Sequence, residues 1–239
     1  NILTDDNVSN ADKLLHAEVS TPTELINSII NTYKWTNISK YNTFFDYACG
    51  KGNIIIVLFL RLVQMYNIED TLRKLHFADI NHLNVFTTCC SLFLISKIHH
   101  SKEFYNFNFY FGDSLKLKVN KKFDCLFVNP PFQDTIKRGV TPHKLWIDFT
   151  IKSFKDFLAP DGLLIKVFQE KLLLFLYTNQ EHYFKGINST ISWYVIKNTT
   201  VSNNSTIING TEHYINKLFY LPNDFSKLSL SIHSKVMFN

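Results

Sequence analysis

The chain has 239 residues, enough for one well-buried domain, and its 46% hydrophobic and 15% aromatic content excludes a disordered protein. A net charge of +5 is compatible with a nucleic acid partner but does not require one. Because no uncharged apolar run reaches about eighteen residues and no basic, apolar leader begins the chain, we expect neither a membrane span nor a signal peptide.

Predicted strands alternate with predicted helices along most of the chain. An apolar run over residues 43–48 predicts the first strand, and Gly50 and Gly52 predict a tight turn into a buried helix over residues 53–66. The next predicted elements are strands at 75–79, 107–111, 123–128 and 163–168, helices at 83–98 and 144–158, and a turn at 160–162. Later strands are predicted at 190–196, 206–208 and 213–220. This order predicts an α/β fold: a doubly wound, mostly parallel sheet with an antiparallel C-terminal edge.

The cysteines predict no disulfide framework and no metal site. Cys49, Cys89, Cys90 and Cys125 lie in apolar stretches, and no pair has zinc-site spacing. The neighbouring pair His99 and His100 has no further ligand in the pattern. We therefore expect reduced, buried thiols in an intracellular, cytoplasmic protein, with a nuclear or viral setting left open.

Polar residues stand at or just after the ends of the first four predicted strands. They are Asp46, Asp79, Asp113 and Asn129. Each acid alone equally fits a helix cap or a turn. Because the carboxyl ends of parallel strands share one edge of a sheet, four such residues beside a glycine turn indicate a ligand site.

The residues around the glycine turn favour S-adenosylmethionine over other nucleotide cofactors. The Gly-x-Gly pair lacks the third glycine of a dinucleotide fingerprint and the Gly-Lys-Ser/Thr ending of a phosphate loop. Asp46 would repel a pyrophosphate but attract the cationic end of a methionine. Asp79 suits a ribose diol, and Asp113 can accept a hydrogen bond from the exocyclic amine of an adenine.

The sequence Asn129-Pro130-Pro131-Phe132 ends the strand predicted at 123–128, because neither proline has an N–H to donate. An acceptor-rich strand end beside an aromatic ring suits a planar substrate with an exocyclic amine, such as adenine. The alternative is a proline-terminated strand with a packing phenylalanine.

Four segments resemble the motifs of amino-methyltransferases, in the order found in the gamma class of DNA adenine-N6 methyltransferases. They are Phe45–Asn53, Ala78–Ile80, Gly112–Ser114 and Asn129–Phe132. A fifth segment, Ala17–Glu24, is similar to the Thr-Pro segment of type I and type IIG restriction–modification methylases, which folds over the methionine part of the cofactor. The resemblance covers roughly residues 16–170. Asn53 departs from the small residue expected at the end of the first motif.

The resemblance implies a Rossmann-like class I methyltransferase with a seven-stranded sheet, and it implies roles for the residues of these motifs. The implied S-adenosylmethionine contacts are Thr21, Asp46, Ala48, Cys49, Gly50, Gly52, Asp79, Ile80, Asp113 and Ser114. The implied catalytic residues are Asn129, Pro130, Pro131 and Phe132. In this chemistry the Asn129 oxygen and the Pro130 carbonyl accept the two hydrogens of adenine N6, while Phe132 stacks on the base.

We expect one methyltransferase domain over residues 1–239, with a helical cofactor-lid segment at 1–40, a core at 41–170 and C-terminal strands at 171–239. That length leaves too few residues for a full target-recognition domain. Base-specific reading would then come from loops, a missing segment or a partner specificity subunit. The expected substrate is duplex DNA with the target base flipped out of the helix.

A loop directly after the catalytic motif is a candidate for contacts with the DNA phosphates, although a solvated lid fits its composition equally well. Its basic residues are Lys137, Arg138, His143 and Lys144.

Two alternatives stay open at this point. The same motif serves methyltransferases that act on adenine in RNA or on the side-chain amide of glutamine in protein, since all three acceptors are planar amines. A methyltransferase-like subunit without activity could instead bind DNA or a partner as a scaffold.

Overall fold

The computed structural model describes residues 20–99, 106–131, 145–166, 173–177, 193–197 and 206–213, and within them strands alternate with helices as the sequence predicts. The helices are α1 (Thr23–Tyr33), α2 (Trp35–Ile38), α3 (Asn53–Leu62), α4 (Ile68–Lys74), α5 (His82–His99) and α6 (Leu145–Lys152), which continues as a π-helical turn (Ser153–Phe157). The strands are β1 (Phe44–Asp46), β2 (Leu75–Asp79), β3 (Asn108–Phe111), β4 (Phe123–Val128), β5 (Leu158–Lys166), β6 (Leu173–Tyr177), β7 (Trp193–Lys197), β8 (Thr206–Ile208) and β9 (Thr211–His213).

All described strands belong to one sheet, in the order β3-β2-β1-β4-β5-β7-β6-β8-β9. Strands β1 to β5 pair in parallel, and β7 runs antiparallel to both β5 and β6. The chain reverses its direction of winding between β1 and β4, which is where doubly wound sheets bind ligands. The predicted α/β sheet with an antiparallel C-terminal edge is confirmed. The strand predicted at 206–208 is β8, and the described residues form nine strands where the resemblance implied seven.

Strands β1 and β4 are buried on both faces, which explains why they are mostly apolar, whereas the edge strand β3 is partly exposed. On one face Phe44, Phe77 and Phe127 pack with the apolar sides of α1, α3, α4 and α5. On the other face Phe45 and Leu126 pack with α6 and its π-helical turn. Successive residues of a strand alternate between the two layers, as the period of two requires.

Several element boundaries differ from the sequence prediction. The helix predicted over 53–66 ends at Leu62, and the turn predicted at 160–162 lies inside β5 as a bulge. In that bulge Leu158 pairs with Phe123, but Cys125 pairs with Leu163, so extra residues stand between them. Asp161 absorbs the kink with a positive φ of 57°.

Three elements were not predicted or were misplaced. Helix α4 is capped by Asn67, whose side chain accepts from the Asp70 amide at 2.8 Å, but its short, charged sequence carries no apolar period. Strand β6 was also missed. The strand predicted at 213–220 is wrong in its start, since β9 begins at Thr211, and its remainder lies outside the described residues.

The structure bears on two further expectations, one about the cysteines and one about a membrane span. The four cysteines are free thiols, with Cys49 and Cys125 buried and Cys89 and Cys90 partly buried. None of the helices in the described ranges has the length and hydropathy needed to cross a bilayer.

One carboxylate ties the start of β1 to the start of β4. Asp124 Oδ2 accepts from the amides of Asn42 and Thr43 at 3.1 and 3.0 Å, and from Thr43 Oγ1 at 3.0 Å. The Asp124 amide in turn donates to Thr43 Oγ1 at 2.9 Å. These bonds hold the two central strands in register.

We predict that Asp124→Ala lowers the free energy of unfolding by about 2 kcal/mol, because three donors lose their acceptor. Asp124→Asn keeps an acceptor oxygen in the same place and should lose clearly less. Urea denaturation of the two variants and the wild type measures the difference. Equal losses in both variants would show that this contact does not stabilise the strands.

Candidate functional site

The polar residues predicted at the strand ends lie along one edge of the sheet. Asp46 and Asp79 are the last residues of β1 and β2, Asn129 follows β4 directly, and Asp113 follows β3 after Gly112. Because β3, β2, β1 and β4 are parallel neighbours, their carboxyl ends meet at this edge. The structure therefore brings the four residues to one side of the fold.

The turn after β1 is held against the end of β2 by its own backbone. The Cys49 amide donates to the Ala78 carbonyl at 2.9 Å, and the Gly50 amide donates to Asp79 Oδ2 at 2.8 Å. Gly50 and Gly52 have positive φ angles of 51° and 86°. Glycine is favoured at both positions, because other residues adopt such φ angles only with some strain.

Gly52 also has no room for a side chain. An added Cβ would lie 2.6 Å from Thr88 Oγ1. Thr88 is fully buried in α5 and donates to the Asn84 carbonyl at 2.9 Å, so it cannot move away freely. At Gly112, by contrast, φ is 120° but an added Cβ would meet nothing within 4 Å, so that turn borders open space.

Asp79 is the acceptor on which this turn depends. Its Oδ1 accepts from the Asn81 amide at 2.8 Å and from Asn84 Nδ2 at 3.3 Å, in addition to the Gly50 bond to Oδ2. Ile80, the next residue, is 56% exposed and offers an apolar surface beside the turn. The ribose contact implied for Asp79 stays a prediction, and the structure gives the residue a second role as the anchor of the turn.

Asp46 is buried, and only one of its two carboxylate oxygens accepts a hydrogen bond from a described residue. Oδ1 accepts from the Ala48 amide at 3.1 Å, whereas Oδ2 has no hydrogen-bond partner among the described residues. Burial raises the pKa of Asp46 well above its usual value, and the nearby Asp79 carboxylate raises it further against the effect of the Ala48 bond. The site therefore contains an acceptor that a cation would stabilise in its charged form.

Asp113 and Ser114 shape the connection after β3. Asp113 Oδ1 accepts from the Leu115 amide at 3.0 Å, and Oδ2 lies 3.2 Å from the exposed ammonium of Lys116. The buried Ser114 hydroxyl donates to the Tyr47 carbonyl and so fastens this segment to the end of β1. Contacts of both residues with a cofactor stay predictions.

Asn129 is held by one end of its amide. Its Nδ2 donates to Thr21 Oγ1 at 3.0 Å, while its Oδ1 is buried and has no hydrogen-bond partner in the described part of the chain. Pro130, which follows, is buried. An unpaired buried carbonyl costs about 1–3 kcal/mol, so an acceptor left in this state at a ligand-binding edge indicates a role in binding a donor.

Some predicted site residues lie outside the described residues. They are Phe132 and the basic residues Lys137, Arg138, His143 and Lys144. Their roles stay predictions. Within the described ranges no group of three His, Cys, Asp or Glu side chains is placed to hold a metal ion.

Two residues of this region were missed by sequence reasoning. Asn53 Nδ2 donates to the Thr21 carbonyl and to Ser20 Oγ, both at 2.9 Å. The available signal was a polar residue directly before the apolar run at 54–60. Lys166 is fully buried beside Val128, and burial lowers its pKa to about 7. Its Nζ donates to Thr150 Oγ1 of α6 at 2.6 Å, on the sheet face that also buries Val128.

Comparison with solved structures identifies the architecture. No protein-family model and no curated protein matches the sequence. A candidate class I S-adenosylmethionine-dependent methyltransferase from Listeria monocytogenes matches with a TM-score of 0.58 at 12% identity, over 79% of this chain and 64% of that chain. This is a class I methyltransferase fold.

Two further matches come from restriction enzymes or complexes with DNA. The M protein of the type I restriction enzyme EcoKI matches with a TM-score of 0.56 at 16% identity, over 77% of this chain and 44% of its own. A DrdV–DNA complex matches with a TM-score of 0.61 at 12% identity, over 84% of this chain and 28% of its own. The chain spans less than two thirds of each of these three proteins.

The raised pKa of Asp46 predicts a pH-dependent stability. Because the folded protein binds the Asp46 proton more tightly than the unfolded chain, this contribution is fully present below the unfolded pKa of about 4 and is lost as pH rises through the higher folded pKa. Asp46→Asn has no proton to release. Its stability advantage over the wild type should grow from about pH 4 to pH 8, as measured by thermal denaturation of both proteins. An advantage that is constant with pH would contradict this origin.

The contact at Gly52 predicts a compensating pair of substitutions. Gly52→Ala should lower the melting temperature, because its methyl group would collide with Thr88 Oγ1 in addition to straining φ. In a Thr88→Ala background the same change should cost less, because the two closest atoms, Oγ1 and Cγ2, are gone and only the Cβ at 3.0 Å and the backbone strain remain. Melting curves of the two single variants and the double variant measure this. If the decreases in melting temperature of the two single variants add up in the double variant, a direct clash between residues 52 and 88 is ruled out.

Proposed function

We propose that this chain transfers a methyl group from S-adenosylmethionine to the N6 amine of adenine in DNA. The observation that carries the proposal is the buried Oδ1 of Asn129 at the tip of β4, which has no hydrogen-bond partner among the described residues, while the Nδ2 of the same amide is bonded to Thr21. The fold places this acceptor at the same sheet edge as the glycine turn.

The described residues fit S-adenosylmethionine at that edge. Asp46 Oδ2, which no described residue contacts by a hydrogen bond, would accept from the ammonium of the methionine end, and that positive charge would favour the ionised carboxylate. The exposed Ile80 would cover a face of the adenine ring, next to Asp79 and the glycine turn. At Gly112, after β3, an added Cβ would meet nothing within 4 Å, so this turn leaves room for a bound group. Bound there, S-adenosylmethionine supplies a methyl group on a positively charged sulfur.

The chemistry assigned to Asn129 is positioning and polarisation of a weak nucleophile. The lone pair of adenine N6 is delocalised into the ring. If Asn129 Oδ1 and the Pro130 carbonyl each accept one N6 hydrogen, the nitrogen is drawn towards a tetrahedral geometry and its lone pair becomes available. The lone pair would bond to the methyl carbon as the bond from that carbon to sulfur breaks, and the methylated nitrogen would then release one of its two protons to solvent. A neutral amide also places no fixed anion beside a positively charged sulfur, which would stabilise the charged ground state.

The two prolines make this acceptor pair rigid. Pro130 and Pro131 fix their φ angles and cannot continue the ladder of β4, so the backbone leaves the sheet at Asn129. A carbonyl held by proline needs little reorganisation when the substrate binds. Rigid dipoles of this kind contribute to catalysis because their orientation is settled by folding.

DNA is favoured as the substrate by the Thr-Pro segment at Thr21 and Pro22, and the net charge of +5 is compatible with a nucleic acid partner. The similar EcoKI protein belongs to a type I restriction enzyme, and the DrdV structure contains DNA. In a duplex, the adenine must be flipped out before its N6 can reach Asn129. A specificity subunit or a further domain would supply the reading of neighbouring bases.

Methyl-transfer assays test the proposal. The purified protein is incubated with methyl-labelled S-adenosylmethionine and, in parallel, with duplex DNA, RNA and a protein extract. We predict labelled N6-methyladenine in DNA, and a loss of at least about 100-fold in Asn129→Ala, because a polarising acceptor at the reacting atom is removed.

The matched control is Asn31→Ala, which removes an exposed amide on α1 and should leave the rate unchanged. If the label appears only in RNA or only in protein, the substrate is RNA or protein and not DNA. Cofactor binding without any transfer would point to a scaffold subunit. Undiminished transfer in Asn129→Ala would refute the role of the amide.

A further inference from the structure

Some contact must determine whether the oxygen or the nitrogen of the Asn129 side-chain amide faces the substrate. The oxygen and the nitrogen of an amide are nearly equal in size, so packing alone does not distinguish them, and hydrogen-bond partners set the orientation. Only the oxygen can accept a hydrogen from an amine. With the nitrogen turned to the same place, two N–H donors would face each other.

Thr21 supplies the partner that fixes the orientation. Its Oγ1 lies 3.0 Å from Asn129 Nδ2, on the side of the amide away from the unpartnered Oδ1. Thr21 is only 7% exposed, so water does not compete effectively for this bond. The hydroxyl and the amide are 108 residues apart in sequence, and tertiary structure alone joins them.

Asn53 holds Thr21 at this distance. It is 5% exposed, opens α3 directly after the glycine turn, and donates from Nδ2 to the Thr21 carbonyl at 2.9 Å. On the other side Pro22 restricts the backbone, and its carbonyl accepts from the Ile26 amide at 3.1 Å to begin α1. A series of contacts therefore connects the cofactor turn to the tip of β4 through Asn53 and Thr21.

We propose that Thr21 is a positioning residue, which orients the Asn129 amide so that Oδ1 faces the acceptor amine, and that Asn53 holds Thr21 in register for this task. The inference rests on the proposed methyl transfer and deepens it, because it assigns the orientation of the reacting amide to a residue that does not touch the amine. The proposal also gives a role to Asn53, where the sequence departs from the small residue expected at the end of the first motif.

The first test compares Thr21→Val with Thr21→Ser in the full chain. Valine keeps the shape of threonine and removes the hydroxyl, whereas serine keeps the hydroxyl. With saturating S-adenosylmethionine, Thr21→Val should lower kcat by about tenfold, the size expected for losing one hydrogen bond, and Thr21→Ser should recover most of it. Thr71→Val is the matched control, because Thr71 is equally buried but lies in α4.

A double-variant cycle separates this role from a direct contact between Thr21 and the cofactor. If Thr21 acts through Asn129, Thr21→Val should cause no further loss in an Asn129→Ala background. If the fold-losses in kcat of the two single variants multiply in the double variant, Thr21 acts independently of Asn129, and the inference is overturned. Unchanged kcat in Thr21→Val would overturn it as well.

An NMR measurement detects the hydrogen bond between Thr21 and Asn129 even if the protein transfers no methyl group. In ¹⁵N-labelled protein, the side-chain NH₂ signals of Asn129, identified by their loss in Asn129→Asp, should show one proton shifted downfield and protected from exchange. Thr21→Val should abolish that signature, and both Thr21→Ser and Thr71→Val should keep it. Signals that are unchanged in Thr21→Val would refute the inference. If the wild type transfers no methyl group at all, the proposed function fails separately, while these signals still report on the contact.

Discussion

The hydrogen bonds that fold the glycine turn back onto the end of β2 are the contacts on which the rest of the site depends. Asp79 accepts from the amide of Gly50 on one oxygen and from the amide of Asn81 on the other. A single carboxylate therefore anchors both the turn that opens α3 and the turn that opens α5. Together with the bond from the Cys49 amide to the Ala78 carbonyl, it fixes the start of both helices relative to the sheet edge.

The site has a cost in stability that is visible in its unpaired atoms. Asp46 Oδ2, Asn53 Oδ1 and Asn129 Oδ1 are buried acceptors without hydrogen-bond partners among the described residues, and all three lie around the same edge. Each such group opposes folding. Acceptors that remain unsatisfied in the folded chain are available to donors on ligands, so the same feature that destabilises the fold favours binding.

The architecture could be predicted from the sequence because its signals are local. The boundaries of β2 and β4 were predicted to the residue, since both are apolar runs bounded by polar residues or prolines. The prediction failed where tertiary contacts override local signals. The Pro160-Asp161-Gly162 sequence reads as a turn, yet pairing with β4 on both sides keeps it within β5 as a bulge. Helix α4 was missed because it is short and charged and depends on its cap and on packing.

The sequence by itself determined which chemical groups stand at the carboxyl ends of the strands, because strand periodicity and chain breakers fix where each strand stops. Asp46, Asp79 and Asn129 follow from that reasoning alone. Only the tertiary structure decided how these groups are oriented. The Asn129 amide is oriented by a threonine more than a hundred residues away, and one oxygen of the buried Asp46 carboxylate has no hydrogen-bond partner in the part of the chain that the structure describes. Hydrogen-bond orientation depends on distances of a few tenths of an ångström between distant segments, and no local pattern in a sequence encodes such distances.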